Sequence, residues 1–188
     1  MMIETRQQLK QVLNYEEKIY RELGYKGKLQ SLISSCEVGY IYKYVEALRN
    51  DEYYTNCKRK LSKIKRAYWR RRHNRLGVKL GIFIPVNTFE QGLRIYHSQA
   101  IIVHKDAKVG KDCSLHGMNC IGNNGKEDSE RNTPIIGDNC DIGVGASVIG
   151  GVVLGNNIKV AAGAVVCKNC RDDGTILIGV PARGKNKC

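Results

Sequence analysis

From Val103 onward an aliphatic side chain returns every six positions, at Val109, Leu115 and Ile121 and then, after a polar interruption, at Ile136, Ile142, Val148, Leu154, Val160 and Val166. This spacing fits neither a helical period nor strand alternation. A period of six predicts a left-handed parallel β-helix, in which each hexad is a short strand plus a turn and three hexads close one triangular coil. The aliphatic residue is expected to point into the prism and stack on its equivalent eighteen residues away. The small residue four positions on (Ala107, Cys113, Cys140, Ala146, Ala164) fits a corner that a larger side chain would overfill. Glycine often follows the aliphatic mark, as at Gly110, Gly122, Gly137, Gly143 and Gly155, and is expected there to relieve the turn through a positive φ. A ladder this short needs caps at its ends and partners on its flat faces, so oligomerisation is expected.

Residues 3–49 predict two helices divided around Gly24–Gly27. The first carries Ile3, Leu9, Val12, Leu13, Ile19 and Leu23, and the second Leu29, Leu32, Ile33, Tyr40, Ile41, Tyr44, Val45 and Leu48. Asn50-Asp51 breaks the stripe and is expected to cap a third helix near 52–76. The fold class is therefore α+β. Residues 1–76 form a helical region that covers the open end of the solenoid or packs between subunits, and 77–184 form the β-helix. A polar loop is inserted at 123–133, and 185–188 are a tail. No recognisable chemistry is expected from the helices themselves.

Charge changes this picture in one place. The net charge is +13, yet ten Lys and Arg residues lie between Lys58 and Arg75 with no acidic residue among them. Leu61, Ile64, Tyr68 and Trp69 form a narrow apolar stripe expected to dock this helix, leaving a basic face. That face is either a solvated surface or one drawn to an anionic membrane or lipid-linked substrate; nucleic acid is the less favoured partner. No apolar run approaches the length of a membrane span, and a cytoplasmic chain is expected, with the inner face of the membrane as a place of contact. Eight cysteines do not read as a disulfide scaffold, because Cys113, Cys140 and Cys170 take the small-residue slot and reduced thiols suit a cytosolic chain. The Cys167/Cys170 pair has no second pair at zinc spacing, so no metal is expected.

The register slips before the first regular hexad. Ile95 to Val103 spans eight residues where six are expected, so two extra residues bulge at a corner that holds His97. A break in an otherwise strict repeat marks a place where local regularity has yielded to a site. Gly92-Leu93-Arg94-Ile95-Tyr96-His97, Ala107-Lys108-Val109-Gly110, Cys120-Ile121-Gly122, Pro134-Ile135-Ile136-Gly137 and Ile178-Gly179-Val180-Pro181-Ala182-Arg183 together resemble the serine acetyltransferase group of hexapeptide-repeat acyltransferases, over about 82–184. Ile84-Pro85-Val86-Asn87-Thr88-Phe89 resembles a branch found among capsule and surface-polysaccharide O-acetyltransferases.

The resemblance implies acetyl transfer from acetyl-CoA to a hydroxyl, with His97 as general base and then acid and no covalent acyl-enzyme. It also implies a homotrimer whose 123–133 loop closes over a neighbour's His97. Acetyl-CoA would lie along the groove, its pantetheine near Ala161, Ala162 and Gly163 and its 3′-phosphate near Lys168, Arg183 or Lys185. The departures bear on the acceptor. Tyr96 stands where that group has aspartate before the histidine, Ile82 where it has the orienting carboxylate, and Asn132-Thr133-Pro134 where it has Arg-His-Pro. An amino-acid acceptor needs both of its charges paired, so a sugar hydroxyl of surface polysaccharide is the first expectation and free serine the alternative. Tyr96 and His116, one coil above the bulge, are expected to line the acceptor pocket. Asn87 or a main-chain carbonyl is expected to orient His97. His104 reads as a turn substitution and His73 as part of the basic helix. Outside enzymes, the alternative is a solenoid scaffold whose basic helix binds nucleic acid or membrane.

Overall fold

In a computed structural model, which describes residues 2–27, 36–57, 62–125 and 132–185, three helices precede a three-sided parallel β-helix. Thr5 opens α1 (Arg6–Glu22) with a capping box: its hydroxyl accepts from the Gln8 backbone N–H, and the Gln8 side chain accepts from the Thr5 N–H. Helix α2 (Glu37–Asn56) is buried along most of its length, and α3 (Ser62–Leu80) packs on it. Leu29, Leu32, Ile33 and Leu61 lie outside the described residues.

Two helix expectations are corrected. Asn50-Asp51 does not end a helix but sits inside α2. The Asn50 amide donates to the Glu46 carbonyl one turn back, and Asp51 accepts from Thr55 and faces His73, so both polar side chains are satisfied without leaving the helix. The basic helix docks by a different side from the one expected. His73, Gly77 and Leu80 face inward, while Ile64 and Tyr68 are exposed. Gly77 sets this orientation, because a Cβ there would lie 2.6 Å from the Ile82 carbonyl oxygen.

Among the described residues fourteen short strands follow, each of two or three residues. One face of the prism stacks β2 (Arg94–Ile95), β5 (Ser114–Leu115), β8 (Asp141–Ile142), β11 (Lys159–Val160) and β13 (Ile176–Ile178), closed by antiparallel β14 (Arg183–Lys185). The second stacks β1 (Ile82–Phe83), β3 (Ile101–Val103), β6 (Cys120–Gly122), β9 (Ser147–Ile149) and β12 (Val165–Val166). The third stacks β4 (Lys108–Val109), β7 (Ile135–Ile136) and β10 (Val153–Leu154). The hexad marks are the inward residues: Ile95, Leu115, Ile142, Val160 and Leu177 register one above another, and all are buried. Cys113 and Cys140 are buried at a corner and Cys170 is half-buried.

Four of the five glycines after the marks have a different reason from the one expected. Gly110, Gly137, Gly143 and Gly155 are not among the positive-φ positions. They are required because the next coil's backbone passes too close: a Cβ at Gly137 would lie 2.5 Å from the Gly155 carbonyl oxygen, and one at Gly143 2.7 Å from the Ala162 nitrogen.

The helices close the open edge of the first coil by satisfying its backbone groups. The Tyr44 hydroxyl accepts from the Ile84 N–H, Glu52 from Asn87, Glu16 from Gly92 and Leu93, and the Tyr20 hydroxyl from Ile95. Arg49, 1% exposed, donates to both Glu16 and Glu52 and to the carbonyls of Phe89 and Glu90. Burial works to lower the pKa of its guanidinium, and the two carboxylates outweigh it, so the net direction is upward.

Candidate active site

The corner between the first and second faces carries the bulge. After Ile95 the chain runs Tyr96-His97-Ser98, and then Gln99 (φ 77°) and Ala100 (φ 51°) both enter the left-handed region, which costs non-glycine residues free energy and persists where surroundings hold it. Here they do: the Gln99 N–H donates to the Leu80 carbonyl at 2.7 Å, the Ile101 N–H to the Gly81 carbonyl, and the Met118 N–H to the Gln99 carbonyl. Gly117 (φ 100°) lies directly over the bulge, and a Cβ there would meet the His97 carbonyl oxygen at 3.3 Å.

His97 Nδ1 lies 3.3 Å from Glu37 Oε2. The other carboxylate oxygen, Oε1, accepts from the Ser98 N–H and the Ser98 hydroxyl, both at 2.8 Å. Glu37 opens α2, so the helical region places a carboxylate at the His97 corner, where none was expected from it. With the Ser98 backbone N–H as the main cause, and its hydroxyl and His97 adding to it against some desolvation, the Glu37 carboxyl is held below its ordinary pKa of 4.5. A carboxylate that accepts from Nδ1–H leaves the Nε2 lone pair of His97 free to take a proton. The His97 side chain is 70% exposed.

Asn87 does not orient His97, which corrects that assignment. Its side-chain amide pairs with the amide of Asn56 in both directions, at 2.9 and 3.0 Å, and its N–H donates to Glu52. Its φ of 62° suits a tight turn in the first coil, where asparagine tolerates the left-handed region. Tyr96 and His116 are brought together beside His97. Their rings stack with centroids 4.4 Å apart and planes 14° from parallel. His116 Nε2 lies 2.7 Å from Asp141 Oδ1, one coil further on. His116 thus belongs both to the stack and to a second histidine–carboxylate pair. His73 is more than part of a basic surface: it is buried between Asp51 and the Tyr44 hydroxyl. His104 accepts from the Asp106 N–H within its turn.

The donor-site candidates divide by edge. Tyr96, His116, Gly143, Ala161, Ile178 and Arg183 occupy successive rungs of one column, about 24 Å from first to last at the spacing of neighbouring strands. The Ala161-Ala162-Gly163 turn and Arg183 therefore share an edge with His97. Lys168 does not. It sits at the next corner, beside Asn169, Asn124 and Asn132, because β12 separates the two corners. Lys185 pairs with Ile176 at the far end of β14. Thr133 is buried, its hydroxyl donating to the Asp106 carbonyl, and 126–131 of the inserted loop lie outside the described residues. Among the described residues no three His, Cys, Asp or Glu side chains converge as a metal site.

Glu37, Ser98 and Asp141 are the residues that sequence reasoning missed. Asp141 precedes a hexad mark, and its rung on the first face was open to inspection. Glu37 is sixty residues from His97, and no local pattern marks it.

No family model matches the chain. It aligns at 32% identity over 93 residues with the serine acetyltransferase of Synechococcus elongatus, over 50% of this chain and 37% of that protein. With the serine acetyltransferase of Bacillus pumilus it is 30% identical over 99 residues, 53% of this chain and 45% of the relative. The chain thus spans less than half the length of these curated relatives. Among solved structures, the serine acetyltransferase of Neisseria gonorrhoeae superposes with a TM-score of 0.71 at 22% identity, over 97% of this chain and 68% of that one. A serine acetyltransferase in complex with CoA superposes at 0.68 and 16% identity, over 96% and 71%. These likenesses establish the fold, three helices followed by a left-handed parallel β-helix.

Proposed function

We propose that the chain is an acetyl-CoA-dependent O-acetyltransferase in which His97 is the base and Glu37 holds it. The contact of Glu37 Oε2 with His97 Nδ1 at 3.3 Å carries this reading, because it leaves Nε2 as the acceptor of a substrate proton. As the acceptor oxygen attacks the thioester carbon, its proton passes to Nε2. When the tetrahedral adduct collapses, the C–S bond breaks and the proton goes to the departing thiolate, giving an ester and free CoA. Main-chain N–H groups at the corner are the natural donors to the transient oxyanion. Acetyl-CoA lies along the Tyr96-to-Arg183 edge, with the Ala161–Gly163 turn against the pantetheine and Arg183 towards the phosphates.

Two acceptors are supported, by different observations. The names of the curated relatives favour L-serine, and this is the acceptor the comparisons support better. A sugar hydroxyl, and with it a place in surface-polysaccharide assembly, is favoured by the flat Tyr96–His116 stack beside His97, a surface suited to a pyranose ring. The absence of a carboxylate at Tyr96, where an ammonium would need one, supports the same reading. A homotrimer completes the groove: Phe83 and Ile102, neighbours across β1 and β3, leave apolar side chains exposed on the flat face beside the His97 corner. Use of acetyl-CoA assigns the reaction to the cytoplasm.

The test is CoA thiol release by the purified protein with L-serine in one arm and simple and nucleotide-linked sugars in the other. Turnover abolished in His97→Ala is expected. Serine-dependent turnover selects the first acceptor and sugar-dependent turnover the second. Unchanged acetyl transfer in His97→Ala refutes the mechanism.

A further inference from the structure

Helix α3 meets the rest of the molecule through His73, Gly77 and Leu80. Its opposite stripe recurs every three or four residues as Ile64, Tyr68, Arg71, Arg75 and Val78, and every member is exposed. Ile64 is 81% exposed, Val78 71% and Tyr68 57%. The helix carries eight Lys and Arg residues and no acid. Among the described residues a carboxylate approaches Arg70, with Asp51 at 3.8 Å, and none is found beside the outward arginines.

We infer that this face of α3 seats on an anionic lipid surface. A helix that lies in a membrane interface pairs cations, which stay among headgroups, with aliphatic and aromatic side chains that enter the acyl boundary. Ile64 and Val78 stand at the two ends of the stripe, about 21 Å apart along the axis, with Tyr68, Arg71 and Arg75 between them. Nucleic-acid phosphates would reward the arginines and leave Ile64 and Val78 in water. A second copy presenting the same face would set like charge against like, since the helix has no acidic residue to answer them. No helix of the described residues is long and apolar enough to cross a membrane, so the contact is peripheral. The face is tied to the candidate site, because the helix ends at Leu80 and the Leu80 carbonyl accepts from Gln99 in the His97 bulge.

The test is flotation of the full chain with phosphatidylcholine vesicles, with and without one-third phosphatidylglycerol. Emission from Trp69, the single tryptophan, is the second readout. It needs neither acetyl-CoA nor an acceptor, so its outcome is independent of the proposed reaction. Binding is expected only with phosphatidylglycerol, together with a blue shift of Trp69. Arg71→Glu/Arg75→Glu should weaken binding at least about tenfold, and Ile64→Ser/Val78→Ser severalfold, each with unchanged helical circular dichroism. Equal binding to uncharged vesicles, or none to either, overturns the inference. So does tighter binding to a short RNA or DNA that Ile64→Ser/Val78→Ser leaves intact. A fall in oligomer mass in Arg71→Glu/Arg75→Glu, measured by ultracentrifugation, assigns the face to a second copy and overturns it equally.

Discussion

Removing the Glu37 carboxylate tests the site at its central contact. A unit charge 3.3 Å from His97 Nδ1 is worth about 5 kcal/mol at an effective dielectric constant of 20 and about 1 kcal/mol in bulk water. The partners decide between these, since the His97 and Glu37 side chains are 70% and 44% exposed, and exposed ion pairs are worth about 0.2–1 kcal/mol. Glu37→Ala should therefore slow acetyl transfer by about fivefold, the equivalent of about 1 kcal/mol, and act on kcat more than on the KM for acetyl-CoA. Glu37→Gln should be worse, although it is the closer isostere. Its amide can donate to Nδ1, which moves the imidazole proton to Nε2 and removes the lone pair that must accept the substrate proton. The assays are steady-state CoA release and the 15N shifts of the His97 ring, which report the tautomer without any acceptor. Equal rates for both variants and the wild type would refute the positioning role. A loss beyond about a hundredfold in Glu37→Ala would refute the solvent-screened magnitude and mean that the pair works in a closed, low-dielectric site.

Further consequences follow from other contacts. Arg49→Met leaves Glu16 and Glu52 buried without their cation, and denaturant unfolding at fixed protein concentration should show a loss of about 3–5 kcal/mol; a loss under 1 kcal/mol would mean that water replaces the guanidinium. Gly143→Ala drives a Cβ into the Ala162 backbone and should cost about 1–3 kcal/mol in the same assay. Because the Glu37 carboxyl is held below 4.5, its contribution to stability is fully present above that ordinary value and is lost as pH falls through the lowered one. The stability gap between wild type and Glu37→Gln should accordingly hold from pH 7 to about 5 and close only in stronger acid. Tyr96→Ala should raise the KM for the acceptor and leave that for acetyl-CoA unchanged, if the Tyr96–His116 plate receives the acceptor.

The β-helix was legible because its repeat imposes one requirement per rung. Ile95, Leu115, Ile142 and Val160 each need to be aliphatic for the same reason, so the period shows through every tolerated substitution. The bulge at His97 was legible as a failure of that period. The glycines were identified but misexplained: a recurring glycine is consistent with positive φ or with close approach, and only the neighbouring coil, eighteen or so residues away, distinguishes them. The docked side of α3 was misread because Ile64 and Tyr68 make a plausible inward stripe in one helix taken alone. What overrides it is the fit of Gly77 against the Ile82 carbonyl, a contact with a different element. Nothing local to Asn87 shows which partner it takes, because its fixed pairing with Asn56 belongs to tertiary structure.

Glu37 was illegible for a more general reason, and the same reason accounts for its placement. The first coil of any β-helix presents backbone donors that no preceding coil can meet. Here the helices meet them with side chains drawn from four separate turns, Glu16 and Tyr20 on α1 and Tyr44 and Glu52 on α2, at positions that read as ordinary helix residues. Glu37 belongs to this set, since its Oε1 accepts from the Ser98 N–H as Glu16 accepts from Gly92. It differs in having a second oxygen directed at His97. In the proposed mechanism the end cap and the imidazole's orienting group are thus one carboxylate, which would let the site dispense with a carboxylate at Ile82 within the solenoid itself. It follows that Glu37→Asp, one methylene shorter, cannot reach both Ser98 and His97 at these distances. Restored stability without restored turnover, or the reverse, would separate the two duties, whereas full recovery of both would mean that α2 slides to follow the shorter side chain.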